Sequence, residues 1–488
     1  MPSSGDRLTG LDASFLHIED ESAHMHVASV LLFDGDPPSY DRFVEAIESR
    51  LHLVPRYRQR LAFVPLNQGR PTWVDDPHLN LRYHVRHTAL PAPGGEDQLR
   101  SLASRVFAQQ LDRDKPLWEL WLVEGLEGGG FALLAKTHHA LVDGISGVDL
   151  ITVLFDAAAE PAVPPDARSE EWLPRPLPSG AQLLGEALVE RATQPAEIAR
   201  SARALLRGPR QVAGALRDGA VGLGAMTWAG LRPAPPSPYN GRIGPHRRFT
   251  WVRAELEDVK RIKNELGGTV NDVVLATVSG ALGAHMRRRG EDTSGVVLRA
   301  MVPVSVRSDL QRGALGNRVA AMMAPLPVWA EEPLARLEIV REAMEGLKGG
   351  GQAVGAEVLT ELSGFAPPTV MAQAARLFNR QRFFNLVVTN VPGPQFPLYL
   401  MGREMKDVFP MVPLAPGQAL GVAIMSYNGR INFGLLGERD LLPDTEELAD
   451  DFRASLAELA DAAGFRLSKP APTGRRAGAK SRAGAPVR

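Results

Sequence analysis

Two stretches of alternating strand and helix signals, held apart by a proline-rich break, limit the folds open to this chain more than any other feature. The first covers 1–160. There Val27–Phe33 is an apolar run closed by the Asp34-Gly35 turn, which predicts a buried strand. Phe43, Ile47, Leu51 and Val54 recur at helical spacing up to Pro55. Leu81, Tyr83 and Val85 alternate with Arg82, His84 and Arg86, the pattern of a half-buried strand. Leu99, Leu102, Val106 and Phe107 mark a helix, Phe131–Ala135 a buried strand, and Ile145, Val148, Ile151, Leu154 and Phe155 a further helix.

A connector over 161–246 follows, with prolines at both ends and an Ala/Leu/Gly/Arg-rich helical stretch over 179–231 between them. Strand and helix signals return over 247–467. Leu256, Val259, Ile262 and Leu266 form a helical stripe that stops at Gly267-Gly268. Thr269 precedes Asp272 by three residues, which predicts a capping box opening the next helix. Val296–Val306 and Phe384–Val388 read as buried strands. The tail, 468–488, holds six cations and no acid among Gly, Ala and Pro, a composition that favours disorder. At 488 residues the chain exceeds one ordinary core, so two α/β lobes of mixed character are expected.

Composition removes whole classes of function. A net charge of −1 supplies no field for nucleic acid. The absence of cysteine excludes disulfide scaffolds, zinc–thiolate sites and thiol nucleophiles. The first residues lack the basic-then-apolar pattern of a signal peptide. The uncharged runs Phe383–Gly402 and Val408–Gly429 are broken by prolines, so neither reads as a spanning helix. A cytoplasmic protein is expected, at most peripheral on a membrane.

The chemistry concentrates in His138-His139-Ala140-Leu141-Val142-Asp143-Gly144, which follows a predicted strand and precedes a predicted helix. A neutral imidazole held at a strand end can take a proton near pH 7. Adjacent strand residues face opposite ways, so one histidine at most faces a given cleft. Asp143 lies in the turn that Gly144 permits and is placed to orient the ring or to pair with a distant arginine. Three readings stay open on these residues alone: general base, satisfied structural histidine, or metal ligand. No neighbouring residue completes a ligand pattern such as HExxH, so no metal site is assigned.

HHALVDG resembles the HHxxxDG motif of the coenzyme-A-dependent acyltransferase superfamily. Further motifs are similar to those of the bacterial wax ester synthase/diacylglycerol acyltransferase family. They are Leu8–Phe15 (LTGLDASF), Met25-His26-Val27, Pro116-Leu117-Trp118, Asn271-Asp272, Met301–Arg307 with Gly316-Asn317, Thr389–Pro394 (TNVPGP) and Ser426–Gly434. Their order is kept from Leu8 to about Leu467.

The resemblance implies two chloramphenicol-acetyltransferase-like lobes, each a mixed sheet flanked by helices, with a tunnel between them. It implies His139 as general base, with His138, Asp143 and Gly144 completing the motif. Arg307 is the partner expected for Asp143. Pro116, Leu117, Trp118, Asn271, Asp272 and Asn390 are expected to bind substrate or shape the site. Each also has a plain structural explanation: packing for the Pro-Leu-Trp run, helix capping for Asn271 and Asp272, a turn for Asn390. No permanent cofactor is implied, only a coenzyme A thioester as co-substrate. The implied acceptor is diacylglycerol, giving triacylglycerol, or a fatty alcohol, giving a wax ester. Peripheral contact with a membrane or lipid droplet would suit such products, through the 179–231 helices or the basic tail. The rival functions are a condensation-type enzyme that takes its acyl group from a carrier protein, and a non-catalytic lipid-binding protein on the same scaffold.

Overall fold

The computed structural model describes residues 7–141, 154–160, 172–190, 233–305, 319–349 and 383–468. The predicted helix between Gly144 and Leu154, most of the connector's helical stretch, and the tail beyond Ser468 lie outside these residues. So do Asp143, Gly144, Arg307 and the Gly316-Asn317 pair.

The apolar runs form the strands they predict. In chain order the first lobe holds helix α1 (Gly10–Ile18), β1 (His26–Phe33), α2 (Tyr40–Arg50), β2 (Gln59–Ala62), β3 (Thr72–Asp75), α3 (Leu81–His84), β4 (Val85–Ala89), α4 (Glu96–Ala108), β5 (Trp118–Glu124) and β6 (Phe131–His138). The second holds β7 (Arg247–Glu255), α5 (Leu256–Leu266), α6 (Val270–Arg288), β8 (Val297–Ser305), β9 (Val319–Pro327), α7 (Pro333–Gly349) and β10 (Leu386–Pro392). It continues through β11 (Tyr399–Leu400), β12 (Arg403–Met411), β13 (Leu420–Tyr427), β14 (Arg430–Glu438) and α8 (Thr445–Ala462).

One expectation is corrected. The alternation through Leu81–Val85 is not a strand, because Asn80 accepts a hydrogen bond from the Arg82 N–H and caps the short α3; the strand begins only at Val85. His84 is buried there and stacks on Trp118 at 4.7 Å.

The two large sheets are β11-β12-β1-β6-β5-β4 and β7-β14-β13-β10-β8-β9, each six-stranded. Strand β12, from the second half of the chain, pairs antiparallel with β1, from Ala28↔Met411 to Phe33↔Met405. The second half therefore completes the first sheet. A region read as part of the second lobe lends a strand to the first, and the lobes cannot separate without breaking that ladder.

Packing reinforces the junction. Phe409 of β12 stacks on Trp251 of β7 at 4.7 Å. Asp407, fully buried, lies 3.1 Å from Arg253 and 2.7 Å from Arg430. Gly434 of β14 admits the backbone of Pro410 so closely that a Cβ would sit 1.8 Å from its carbonyl oxygen. Tyr427 completes the seam, its hydroxyl donating to Met405 O and accepting from Leu398 N. The end of the connector also belongs to the second lobe: Tyr239 is buried beside His285, and the Asn240 and Asn385 side chains hydrogen-bond each other.

Candidate active site

Strand β6 carries the paired histidines to the end of the first sheet, opposite the start of β1, with His26 in register with His138. The backbone fixes their positions first. The His138 N–H donates to Leu117 O at 2.9 Å, and the His139 N–H donates to Met25 O at 2.8 Å. From there the two side chains diverge, as strand geometry requires.

His138 turns inward and is 1 % exposed. Its Nδ1 accepts from the Ala140 N–H at 3.0 Å, which leaves the proton of the neutral ring on Nε2. That nitrogen lies 3.2 Å from Oε1 of Glu19. Its Nδ1 is thus occupied by the Ala140 N–H, and its Nε2 lies within ion-pair distance of Glu19 without hydrogen-bond geometry.

His139 is different. Its ring stacks on Phe15 of α1, with centroids 3.9 Å apart and planes 25° apart. Its Nδ1 is buried with no side-chain hydrogen-bond partner among the described residues, the ring makes a hydrogen bond to the residue's own backbone, and the residue keeps part of its surface accessible. A crowded setting with an open edge suits a base on the floor of a site. Burial pushes its pKa down to about 4 against the opposing hydrogen bond with its own backbone, and the neighbouring His138 adds to the lowering, so the ring is neutral at physiological pH.

Around the pair lies a buried polar cluster. The Glu19 carboxylate, 1 % exposed, accepts from the Met25 N–H at 2.6 Å and pairs with Arg113. Burial alone would raise its pKa, but contacts with His138 and Arg113 outweigh that cost and hold Glu19 ionised, well below the usual carboxylate range. His26 lies 3.7 Å from the same carboxylate, and burial holds its pKa well below the ordinary histidine value. Among the described residues no group of three or more His, Asp or Glu side chains is arranged to hold a metal ion.

The other residues singled out from sequence fall in two places. Pro116, Leu117 and Trp118 are buried core. The Trp118 indole donates to Tyr57 O at 2.9 Å, and the Leu117 carbonyl holds the His138 N–H. Asp272 closes the capping box at the start of α6, its carboxylate accepting from the Thr269 N–H at 2.8 Å. Asn271 and Asn390 meet across α6 and β10, their amides 3.4 Å apart. Among the described residues, no hydrogen bond, ion pair or ring contact joins Asn271, Asp272 or Asn390 to the histidine pair.

Phe15, Glu19, Met25 and Arg113 were not legible as site residues. Phe15 and Met25 stand inside motifs visible in the sequence, but nothing local ties them to a histidine more than a hundred positions away. Glu19 looks like any solvated acid at a helix end.

Comparison with known proteins agrees with the motif order. The wax ester synthase/diacylglycerol acyltransferase catalytic domain matches residues 8–274, and the C-terminal domain of the same family matches 315–460. A Mycobacterium tuberculosis protein named as a probable diacylglycerol O-acyltransferase is 34 % identical over 98 % of this chain and 99 % of its own length. The solved wax ester synthase/diacylglycerol acyltransferase of Marinobacter aquaeolei VT8 is 29 % identical, with a TM-score of 0.65 over 94 % of this chain and all of that one. The starter condensation domain of rhizomide synthetase, solved as a mutant with C8-CoA and Leu-SNAC, shares the fold at a TM-score of 0.57, 12 % identity and 94 % coverage of this chain and 95 % of its own. On both its halves, this chain belongs to the wax ester synthase/diacylglycerol acyltransferase family.

Proposed function

We propose that the protein transfers a long-chain acyl group from acyl-CoA to the hydroxyl of diacylglycerol, forming triacylglycerol, with His139 as general base. Fatty alcohols, giving wax esters, are a second acceptor class that the family name admits. The observation that carries the reading is the state of His139: stacked on Phe15, neutral at pH 7, and partly accessible, with no side-chain hydrogen-bond partner among the described residues.

In the step itself, His139 removes the hydroxyl proton while the alcohol oxygen attacks the thioester carbonyl carbon. The tetrahedral adduct then collapses, the C–S bond breaks, and the departing thiolate takes the proton back from the imidazolium. General-base help of this kind is worth roughly 10²–10⁴ in rate. The chain has no cysteine to form an acyl-thioester, which favours direct transfer. His138 supports the base, and the Asp143–Arg307 pair is proposed to fix the loop that follows it, with Gly144 permitting the turn.

The proposed setting is a passage between the lobes, open to acyl-CoA and to the lipid acceptor. No helix among the described residues is long and apolar enough to cross a membrane, so the lipid would be met at a surface. Support for such contact comes from the region where Val64, Leu183 and Ala187 pack together, since Phe63, Leu66, Leu177 and Leu188 nearby in sequence are left exposed. The condensation-type alternative draws only on neighbours that share the fold at low identity.

The experiment is a thiol-release screen with free acyl-CoA against diacylglycerol and fatty alcohol. Turnover on diacylglycerol that disappears in His139→Ala, with the circular dichroism of the fold retained, is the expected result. Turnover that needs an acyl-carrier protein, or none on either acceptor, would overturn the reading.

A further inference from the structure

We propose that Glu19 is a positioning residue for the reaction, setting the tautomer of His138 and the backbone of His139 from the C-terminal end of α1. The inference rests on His139 being the base and deepens that reading.

The placement of Glu19 is costly by default. It is the C-cap of α1, where the helix dipole presents partial negative charge to a carboxylate, and its side chain is buried. Arg113 offsets both: its Nη2 donates to the α1 carbonyl of Leu16 at 3.1 Å and to the Glu19 carboxylate. A buried acid supported in this way has a defined task, which its remaining contacts identify.

Two lines run from the carboxylate to His139. The first is backbone. Oε1 of Glu19 accepts from Met25 N–H, and the carbonyl of that same residue accepts from His139 N–H. Met25 is therefore held from both sides, and the edge on which His139 hangs cannot drift without breaking the Glu19 contact. The second line is through His138. With Glu19 ionised, the proton of a neutral His138 ring is favoured on Nε2, which lies 3.2 Å from the carboxylate, at ion-pair distance though outside hydrogen-bond geometry. Nδ1 is then a lone pair, as the Ala140 N–H donating to it at 3.0 Å requires.

Were the proton on Nδ1 instead, two donors would face each other beside the His139–Ala140 peptide, and the backbone would move. His26 cannot take over this role, since its Nε2 already accepts from the Leu111 N–H. Helix α1 adds a third restraint, because the same helix that ends at Glu19 places Phe15 on the His139 ring. Misplacing a base by about 1 Å costs on the order of a hundredfold in rate.

Glu19→Gln is the discriminating variant. Its amide oxygen can still accept from Met25, so the loop survives, but the charge that selects the His138 tautomer is gone. A drop in kcat of at least about tenfold is expected, with KM for acyl-CoA and acceptor changed less than about threefold. Selective ¹⁵N labelling of histidine should show His138 as the Nε2-protonated tautomer in the parent protein and a shift toward the other tautomer in the variant. Glu19→Asp, which keeps the charge, should recover part of kcat, and serves as the test should Glu19→Gln fail to fold. An unchanged kcat together with an unchanged tautomer overturns the inference. A fully active Glu19→Gln beside an inactive His139→Ala breaks the positioning role and leaves the base intact, whereas an active His139→Ala breaks the reading beneath it.

Discussion

Each lobe buries a histidine whose pKa burial lowers, and the two have opposite surroundings. His285 of α6, in the second lobe, has Tyr239 Oη 3.0 Å from Nδ1 and Asp444 Oδ2 3.1 Å from Nε2. His139, in the first, has an aromatic face against its ring and a hydrogen bond to its own backbone, with no polar side-chain partner among the described residues. Desolvation is the leading cause of the depressed pKa in both. Burial and pKa therefore do not separate the histidine proposed as the base from a structural one. What separates them is that polar side chains lie beside both ring nitrogens of His285, whereas none lies beside His139 among the described residues. The second lobe uses its histidine to tie the connector's end and α8 to α6, while His139, the proposed base, has no such side-chain ties among the described residues.

The largest expected effect breaks this contrast directly. His139→Ala should lower kcat by roughly 10²–10⁴ with little change in stability. His285→Ala should leave the folded enzyme's kcat near the parent value. Its cost is stability, about 1–3 kcal/mol, since Tyr239 and Asp444 are left facing a hole. Thiol-release kinetics beside urea melts read both quantities, and a kcat loss in His285→Ala comparable to that of His139→Ala would abolish the distinction.

Next in size is the junction that brings the lobes together. Asp407→Ala leaves Arg253 and Arg430 near each other in a buried setting without their shared carboxylate. Removing one partner of such a cluster costs about 3–5 kcal/mol, visible as a lower urea midpoint. Because β12 is part of the first sheet, the two lobes should unfold in one transition. Two separated transitions in the parent protein would show that the shared strand does not couple them.

How much of this could be read from the sequence depends on the range of the interaction. Local determinants were plain. Gly267 ends α5 at φ +85°, and Thr269 with Asp272 makes the capping box that starts α6. The apolar runs gave β1, β6 and β8 to within a few residues. The crossing of β12 into the first sheet was not readable, because an apolar strand reveals that it is buried and not beside which partner. The same limit hid Glu19 and Phe15. Their link to His139 exists only after β1 and β6 pair, and no spacing rule connects position 15 or 19 to position 139. Asp143 and Arg307 lie outside the described residues, so their pairing remains a proposal carried by the family motif.

A smaller effect tests a purely local feature of the second lobe. Thr269→Ala removes the side chain that accepts from the Asp272 N–H and should cost about 1 kcal/mol, with kcat unchanged. A large kcat loss instead would mean that the start of α6 reaches the chemistry, as the Asn271–Asn390 contact would then imply.

The smallest expected effect is an absence of change with pH, and it bears on the crowded setting of His139. In the proposed reaction the neutral ring is the active form, so the rate falls as pH drops through the pKa of His139. An ordinary histidine, near pH 6.5, would be about nine-tenths protonated at pH 5.5 and lose roughly tenfold in kcat/KM. With a pKa of about 4, kcat/KM measured between pH 7 and 5.5 should stay level to within a few per cent. Stability runs differently over that window. His26, His84 and His285 all have lowered folded-state pKa values. Their contribution is complete above the unfolded value near 6.5 and is lost as pH falls toward the folded one. Rates must therefore be taken within seconds of a pH jump, before unfolding competes. An acid limb centred near pH 6.5 in such a measurement would show His139 to be solvated like a surface residue, and would remove the physical difference drawn between it and its counterpart in the second lobe.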